Sequence, residues 1–354
     1  MLLSWKEMKH AKGKYIMIFV IITLIAYLVF FLTGLAYGLA EAGRLAADKW
    51  DASSVIMTKE ADNNLAISSF NKDKLKEVTA DKKAPLAQSA SVISSKGKEK
   101  EDVTLFGVEQ NSFIAPNIIK GHQVKNDHEL VVDESLAKVN KYHIGDEVTF
   151  AGDSQKYKIV GLTDHAKFNV APVVYMTISG LNELRFGHSG RNNMINAIIV
   201  RGKATVKKGL DIIPMKTFIN GLPGYSAQVM TFSFMIIALI VIAAVVLGIF
   251  IFVLTMHKQK TIGIMKIQGV PTKMIATSSL MQTVILAVSG VILGVLLTFI
   301  SSLGLPKSMP FDFNVALTLG VGVLMVVITS LASLVSIRSI AKIDPLKAMN
   351  MGDE

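Results

Sequence analysis

The chain has 354 residues, of which 51% are hydrophobic, with a formal net charge of +10 and no cysteine. Together with a mean hydropathy of +0.46, this composition indicates an integral membrane protein rather than a soluble one. The lack of cysteine excludes disulfides and thiolate metal or redox sites. No basic patch interleaved with aromatic residues appears on a polar segment, so a nucleic-acid partner is not expected.

Four segments contain no Asp, Glu, Lys or Arg, and each exceeds the roughly 20 residues that cross a bilayer as a helix. We predict membrane spans at residues 15–40, 226–256, 274–302 and 313–337. The first span is too long for the apolar core of a secretory signal and no cleavage site follows it, so we expect it to remain as a helix. The predicted fold is therefore an integral membrane α-helical protein with a one-plus-three arrangement of four helices.

The charges of the remaining segments predict how the chain is oriented. The N-terminal segment 1–14, the loop 257–273 and the tail 338–354 together hold 11 basic and four acidic residues. Positively charged loops stay on the cytoplasmic side. We therefore expect a protein of the cell membrane with both termini and the loop 257–273 in the cytoplasm. Residues 41–225 and the short loop 303–312 should lie on the outer side of that membrane.

Region 41–225 is long enough to bury its own core and is predicted to fold as an α+β domain. β-branched and aromatic runs predict strands at 103–108, 129–133, 146–150, 157–162 and 172–177. Residues 73–78 and 179–185 have helical patterns, whereas the lysine-rich stretches 72–83 and 94–101 are expected to be largely solvated loops. No internal repeat is evident, which disfavours an inverted-repeat transporter.

A search for catalytic motifs finds no phosphate-binding Gly-x-x-x-x-Gly-Lys-Ser/Thr loop, no His-Glu-x-x-His pair and no nucleophile elbow. The seven histidines lack metal-ligand spacing. We therefore expect no enzyme activity, no intrinsic metal and no bound cofactor. Any energy source must lie in a partner.

The loop 257–273 is where such a partner is expected to dock. Ile262, Met265 and Gln268 recur at helical spacing, and Gly269 and Pro271 then end the helix. A short cationic amphipathic helix of this kind is also typical of an interfacial membrane anchor. Both interpretations remain open on the pattern alone.

The run Lys260-x-Ile-Gly-Ile-x-Lys-x-x-Gly269 resembles the loop between the second and third helices of the FtsX-like ABC permeases, a group that includes macrolide exporters and lipoprotein-releasing permeases. The tail 341–349, with its Asp-Pro-x-x-Ala pattern, and the outer stretches 129–137 and 144–149 are similar to other segments of that family. With the helix arrangement, the resemblance covers essentially the whole chain.

The resemblance implies a permease subunit that works as a homodimer with two copies of a separate cytoplasmic ATPase. It also implies that a coupling helix in the loop sits in a groove of that ATPase. The residues that the resemblance assigns to coupling are Ile262, Gly263, Met265, Lys266 and Gly269.

Within the family, the short outer domain and the segments 34–39 and 307–311 look most like the haem-exporting permeases of Gram-positive bacteria. Haem would then be a transported substrate rather than a cofactor. Two rivals stay open. One is export of another amphiphile such as an antimicrobial peptide, and the other is a permease that transmits ATPase cycles to an outer hydrolase without transport.

The outer end of the first span contains a candidate dimer seam. Gly34 and Gly38 form a small-xxx-small pair that lets two helices approach closely. Tyr37 and Glu41 fall on the same stripe of the helix. A second pair, Gly290 and Gly294, is expected to serve packing within one subunit.

Four residues are candidates for a porphyrin site near the outer leaflet: Glu41, Tyr37, Tyr225 and Met57. Ionisable groups at membrane depth favour function, and Tyr and Met are known haem ligands. Three of them also have a plain structural interpretation. Glu41 fits an interfacial carboxylate, Tyr225 an aromatic-belt residue, and Met57 a core methionine of a strand.

Overall fold

The computed structural model describes residues 12–95, 98–187, 189, 191–207, 209–257, 259–306 and 309–341. Most of the predicted N-terminal segment and nearly all of the predicted tail, including the Asp-Pro-x-x-Ala pattern, lie outside the described residues. Two compact units make up the chain. One is a helical unit of residues up to Gly38, from Met230 to Leu305 and from Phe311 onward. The other, the inserted domain, comprises Leu39–Val229 with Pro306–Pro310.

Numbered along the described residues, the α-helices are α1 Lys12–Ala42, α2 Leu45–Asp48, α3 Glu134–Asn140, α4 Ile178–Phe186, α5 Met215–Asn220, α6 Tyr225–His257, α7 Gln259–Ile267, α8 Thr272–Leu303 and α9 Val315–Ala341. The four long helices α1, α6, α8 and α9 are each apolar and long enough to cross a membrane. The predicted one-plus-three arrangement is therefore confirmed.

The helical unit is held together by apolar side chains that meet between its four long helices. The central cluster comprises Ala26, Val29, Phe30, Ile240, Val291 and Met325. Because lipid is as apolar as these side chains, their close packing rather than a hydrophobic driving force holds the helices together. Of the four spans, α6 is the least buried and α1 the most buried.

The strands, all in the inserted domain, are β1 Ser54–Thr58, β2 Phe70–Asn71, β3 Thr79–Ser94, β4 Glu101–Val108, β5 Ile118–Gly121, β6 Glu129–Asp133, β7 Glu147–Phe150, β8 Tyr157–Thr163, β9 Lys167–Phe168, β10 Ala171–Thr177, β11 Met194–Ile195, β12 Ala197–Thr205 and β13 Leu210–Pro214. The main sheet has the order β13-β1-β12-β3-β4-β10-β6-β8-β5, with β7 and β9 attached at its side, and β2 pairs with β11. Strand β10 runs parallel to β4, and β6 runs parallel to β8.

Both faces of the sheet are buried at β1, β6 and β10, which explains why these strands are near-continuous apolar runs. Along β1, Val55 and Met57 enter one core while Ile56 enters the other, as the two-residue period of a strand requires. Trp50 and Phe218 lie in the first core, where their rings pack together with centroids 6.4 Å apart. The predicted α+β domain is confirmed.

One prediction in this domain was wrong. Residues 79–83 of the lysine-rich stretch 72–83 are not a solvated loop but the start of β3, and 72–77 form a 3-10 helix. Lys82 and Lys83 pair with β12 through their backbone. The charged side chains hid the strand because backbone pairing needs no apolar residue where the side chain faces solvent.

Candidate functional site

The predicted coupling loop folds as the short helix α7, which ends in a glycine-dependent cap. Gly269 has φ of +81°, a left-handed conformation that glycine adopts without steric cost. The Val270 N–H donates to the Met265 carbonyl at 3.0 Å, and the Gly269 N–H donates to the Lys266 carbonyl at 3.1 Å. These two bonds form a Schellman motif, which ends α7 abruptly and reverses the chain into α8.

The two sides of α7 differ in what they contact. Ile262 is buried against Ile275 of α8, with Met265 and Val270 packed beside them. This contact attaches α7 to the first turn of α8. On the remaining surface, Ile264 and Ile267 are 42% and 54% exposed within the chain.

An exposed apolar pair on a short helix at a membrane-spanning unit marks either a partner surface or an interfacial position. Of the five residues that the sequence assigned to coupling, Ile262 and Met265 support the helix from within. Neither of the exposed isoleucines, Ile264 and Ile267, was among the five.

Helix α8 lies directly on α1 along a seam of small residues. A Cβ atom on Gly294 would stand 2.7 Å from the Ala26 Cβ and 3.0 Å from the Tyr27 backbone nitrogen, and one on Gly290 would stand 2.6 Å from the Ile22 side chain. Only glycine allows the two helices to approach so closely. The prediction that Gly290 and Gly294 pack within one subunit is confirmed.

Polar contacts extend this seam toward both of its ends. At one end, the Tyr15 hydroxyl donates to Gln282 Oε1 at 2.7 Å in a buried setting. At the other, the hydroxyls of Tyr27 and Ser301 lie 3.2 Å apart. Hydrogen bonds between spans are individually modest, at roughly 0.6–2 kcal/mol. Together with the glycine contacts, they make α1 and α8 one packed pair.

The predicted dimer seam has a contact of its own within the chain. A Cβ atom on Gly34 would stand 2.5 Å from the Phe311 ring, and the Asp312 N–H donates to the Gly34 carbonyl at 3.2 Å. The small size of Gly34 thus makes room for Phe311 on the segment before α9. Gly38 is also buried within the chain. The role of this pair in a dimer stays a prediction.

The four candidate substrate residues lie in different settings. Met57 is fully buried in the first core of the inserted domain, so the interpretation of Met57 as a core methionine is the one that the structure supports. Tyr225 begins α6, is partly buried against the same core, and its ring lies where a Cβ on Gly43 would be 3.2 Å away. Tyr37 and Glu41 are both partly buried on α1.

The Tyr225 ring therefore lies against Gly43, which follows Glu41 by two residues at the end of α1. Glu41 occupies the last turn of α1, where the helix macrodipole disfavours a carboxylate by about 0.3–1 kcal/mol.

A strained turn that the sequence did not reveal holds the end of α1. Asn169 and Val170 link β9 to β10 with φ of +52° and +70°, the geometry of a type I′ turn. Their N–H groups donate to the Gly43 and Ala42 carbonyls at 2.8 and 3.2 Å. The turn therefore satisfies backbone acceptors that a helix end otherwise leaves free.

Val170 is the unexpected residue in this turn, because a β-branched side chain rarely adopts positive φ. The usual sequence signal of a type I′ turn is Asn-Gly, and here Val170 stands in place of the glycine.

Comparison with known proteins adds the decisive observation. Residues 233–345, which include most of α6 and all of α7, α8 and α9, match the family described as FtsX-like permease C-terminal. The chain carries an FtsX-like permease domain. The resemblance predicted from the coupling loop is thereby confirmed, and this FtsX-like chain is an ABC transporter permease component.

Similarity to curated proteins extends over nearly the full length of this FtsX-like chain. It is 27% identical to a Staphylococcus haemolyticus protein named "Putative hemin transport system permease protein HrtB", with 98% of each chain covered. A protein of the same name from Staphylococcus epidermidis is 28% identical over 99% of each chain. An "Uncharacterized ABC transporter permease" of Mycobacterium tuberculosis is 22% identical over 97% of each chain.

Among solved structures, the inserted domain of this FtsX-like permease is matched by two domains. The periplasmic region of MacB from Actinobacillus actinomycetemcomitans aligns with a TM-score of 0.35 and 13% identity, covering 47% of this chain and 90% of that one. The extracellular domain of YknZ from Gram-positive bacteria aligns with a TM-score of 0.33 and 11% identity, covering 46% and 99%.

Proposed function

We propose that this FtsX-like permease is the membrane subunit of an ATP-driven exporter that removes haem from the membrane. In this proposal, two copies of the chain act with two copies of a separate cytoplasmic ATPase. The observation that carries the proposal is the end-to-end similarity to two proteins named as hemin transport permeases. Haem is an amphiphile that partitions into lipid, so its exporter needs no continuous aqueous channel.

The contacts of the helical unit supply a route for the mechanical step. A force on α7 is transmitted directly to α8. Ile262 and Ile275 are buried against each other, and the Gly269 cap keeps the connection between the two helices short. Helix α8 in turn lies on α1 through Gly290 and Gly294. Close-packed elements move as bodies rather than deform. ATPase strokes at α7 would thus displace α1, the helix whose last turn carries Glu41.

Glu41 and Tyr225 are the residues that we propose to contact haem. Both flank the end of α1, and an oxygen donor from either one suits ferric iron. Tyr37 lies one turn earlier on the same helix and would contact the porphyrin body. Met57 is omitted because its side chain is enclosed in the domain core.

Hemin binding tests the substrate. The purified chain in detergent, titrated with hemin, should shift the Soret band, and Glu41→Gln should weaken binding by about tenfold, or roughly 1.4 kcal/mol. Tyr225→Phe keeps the ring beside Gly43 and removes only the hydroxyl. Glu60→Gln, an exposed carboxylate of the inserted domain, is the matched control.

A free-hemin spectrum with the wild-type chain would remove haem as the substrate. The permease domain would remain, and export of another amphiphile or signal transmission without transport would then be the better proposals. Growth of a deletion strain on toxic haem, beside growth on cationic peptides, separates these two.

The exposed isoleucines of α7 test the coupling. With the ATPase co-reconstituted, Ile264→Asp and Ile267→Asp should each reduce stimulated ATP hydrolysis several-fold, because a charge at the centre of an apolar contact is costly to desolvate. Ile67→Asp changes an isoleucine that is 64% exposed in the inserted domain and should have no effect. Undiminished stimulation in both α7 variants would contradict docking at this helix.

The same loop tests the orientation. Because the chain lacks cysteine, a single Ile264→Cys gives one labelling site without background. A membrane-impermeant maleimide should react with it only after the cells are opened. Labelling on intact cells would refute a cytoplasmic loop and with it the whole coupling scheme.

A further inference from the structure

A hollow of about 490 Å³ opens on the inserted domain where the end of α3 meets β5 and β8. Its lining includes Lys120, Lys138, Lys141, Tyr142, Ile144 and Leu162. We call it the basic pocket. It belongs to one unit of the chain and takes no residue from the proposed haem contacts at Glu41 and Tyr225.

Positive charge at the basic pocket is only partly compensated. Glu134 is the one carboxylate among the described residues that line it, and it is already engaged by the Lys138 ammonium at 2.7 Å. Lys120 and Lys141 have no carboxylate within ion-pair distance in the described part of the chain. Two free ammonium groups beside one hollow favour an anion.

The inner wall of the basic pocket is apolar. Leu162 and Tyr142 are buried, and Ile144 presents 46% of its surface beside them. The Tyr142 ring is fixed from behind by the Lys98 ammonium, 4.4 Å from the ring centroid, and Lys98 is itself held by Asp146 at 3.0 Å. An apolar wall with a cationic rim is the shape that recognises an acid group attached to an apolar body.

Two further features of this wall are energetically unfavourable. The Tyr142 hydroxyl is buried with no hydrogen-bond partner, although an unsatisfied buried hydroxyl costs about 1–3 kcal/mol. Lys141 ends α3 in the left-handed conformation, with φ of +54°, at a position where glycine is the usual residue. A glycine at position 141 would therefore keep this backbone conformation while removing the ammonium group.

We propose that the basic pocket binds a carboxylate-bearing amphiphile. The acid group lies between Lys120 and Lys141, and the apolar body rests on Ile144, Leu162 and the Tyr142 ring. A porphyrin with its propionates belongs to this class. The choice of a porphyrin as probe, but not the pocket itself, rests on the proposed function.

Protoporphyrin IX and its dimethyl ester are the probes, since they differ only in the two carboxylates and neither carries iron. The full chain is placed in zwitterionic lipid nanodiscs, and porphyrin fluorescence is titrated with empty nanodiscs as background. The acid should bind about tenfold more tightly than the ester. Lys120→Gln and Lys141→Gly should each weaken binding of the acid by about fivefold.

Lys141→Gly is the informative variant, because glycine suits the left-handed position and leaves the fold at least as stable. Lys203→Gln is the matched control, on β12, which is six strands from β5 in the sheet. Equal binding of acid and ester, or unchanged affinity in both pocket variants, overturns the basic pocket. If the pocket variants bind protoporphyrin as the wild type does while the hemin shift is lost only in Glu41→Gln, the basic pocket is overturned and the proposed function stands.

Discussion

The contact between α1 and α8 allows a sharp test of how this permease is packed. In Gly294→Ala, the new methyl group would lie 2.7 Å from the Ala26 Cβ and 3.0 Å from a backbone nitrogen. Carbon atoms attract best at about 3.5–4.0 Å. The helices must therefore move apart by roughly 1 Å, which forfeits a quarter to a half of each nearby dispersion contact.

The magnitude follows from comparing two glycines in long helices of the same unit. Gly→Ala inside a helix gains up to about 1 kcal/mol of intrinsic helix stability, whereas overpacking costs about 1–3 kcal/mol. At Gly320 of α9, a Cβ meets nothing within 4 Å, so only the gain applies. The two variants should thus differ by about 1–3 kcal/mol. Gly322→Ala, with 3.3 Å to a Val291 methyl, should fall between them.

The order of stability of these variants is measured by thermal unfolding of the purified chain in one detergent, monitored by circular dichroism. The midpoint should be highest for Gly320→Ala and lowest for Gly294→Ala. Ala26→Gly should restore part of the loss in the Gly294→Ala background, since it removes the nearest clashing atom. Equal midpoints for Gly294→Ala and Gly320→Ala, or no rescue by Ala26→Gly, would refute the close approach of α1 and α8.

Three further predictions concern the inserted domain. Val170→Gly relieves a β-branched residue at positive φ and should raise the free energy of unfolding by about 1–2 kcal/mol. Amide hydrogen exchange should show equal or greater protection at the end of α1, and a lower free energy of unfolding would contradict strain in this turn. The Lys98 ammonium and a backbone N–H lower the pKa of Asp146 below its ordinary 3.8. The stability that Asp146 contributes is therefore present above pH 3.8 and lost as the pH falls through the lower folded value. Asp146→Asn should flatten the acid limb of a curve of stability against pH, and an unchanged limb would contradict this pairing. Phe218→Ala leaves a cavity at a fully buried site beside Trp50 and should lower the free energy of unfolding by about 3–5 kcal/mol. A loss below about 1 kcal/mol in urea unfolding would be inconsistent with this packing.

Several parts of the site were within reach of the sequence. The short helix α7 was predicted because its spacing and its final glycine are local signals, and Gly269 is at the left-handed position that such a signal implies. The pair Gly290 and Gly294 was predicted to pack within one subunit for a similar reason, since small residues four apart share one face of a helix.

Other parts of the site were not predictable, because they depend on residues far apart in the chain. Nothing in the local sequence shows that Phe311 fills the space at Gly34, or that Val170 caps a helix that ended 128 residues earlier. Met57 shows the same limit in the opposite direction. The local sequence does not distinguish a methionine near a predicted site from a methionine in a core, because burial depends on the whole sheet.

The amino-acid sequence alone determined the four spans and the insertion of an α+β domain after the first, because hydrophobic length and residue pattern are properties of composition and order. The tertiary structure alone decided that α8 rather than a loop connects the coupling helix to α1, that Gly34 packs within its own chain, and that two lysines without carboxylate partners lie beside one apolar hollow. Each of these is a contact between distant segments, and its energy depends on distances of a few tenths of an ångström that only the packed chain sets.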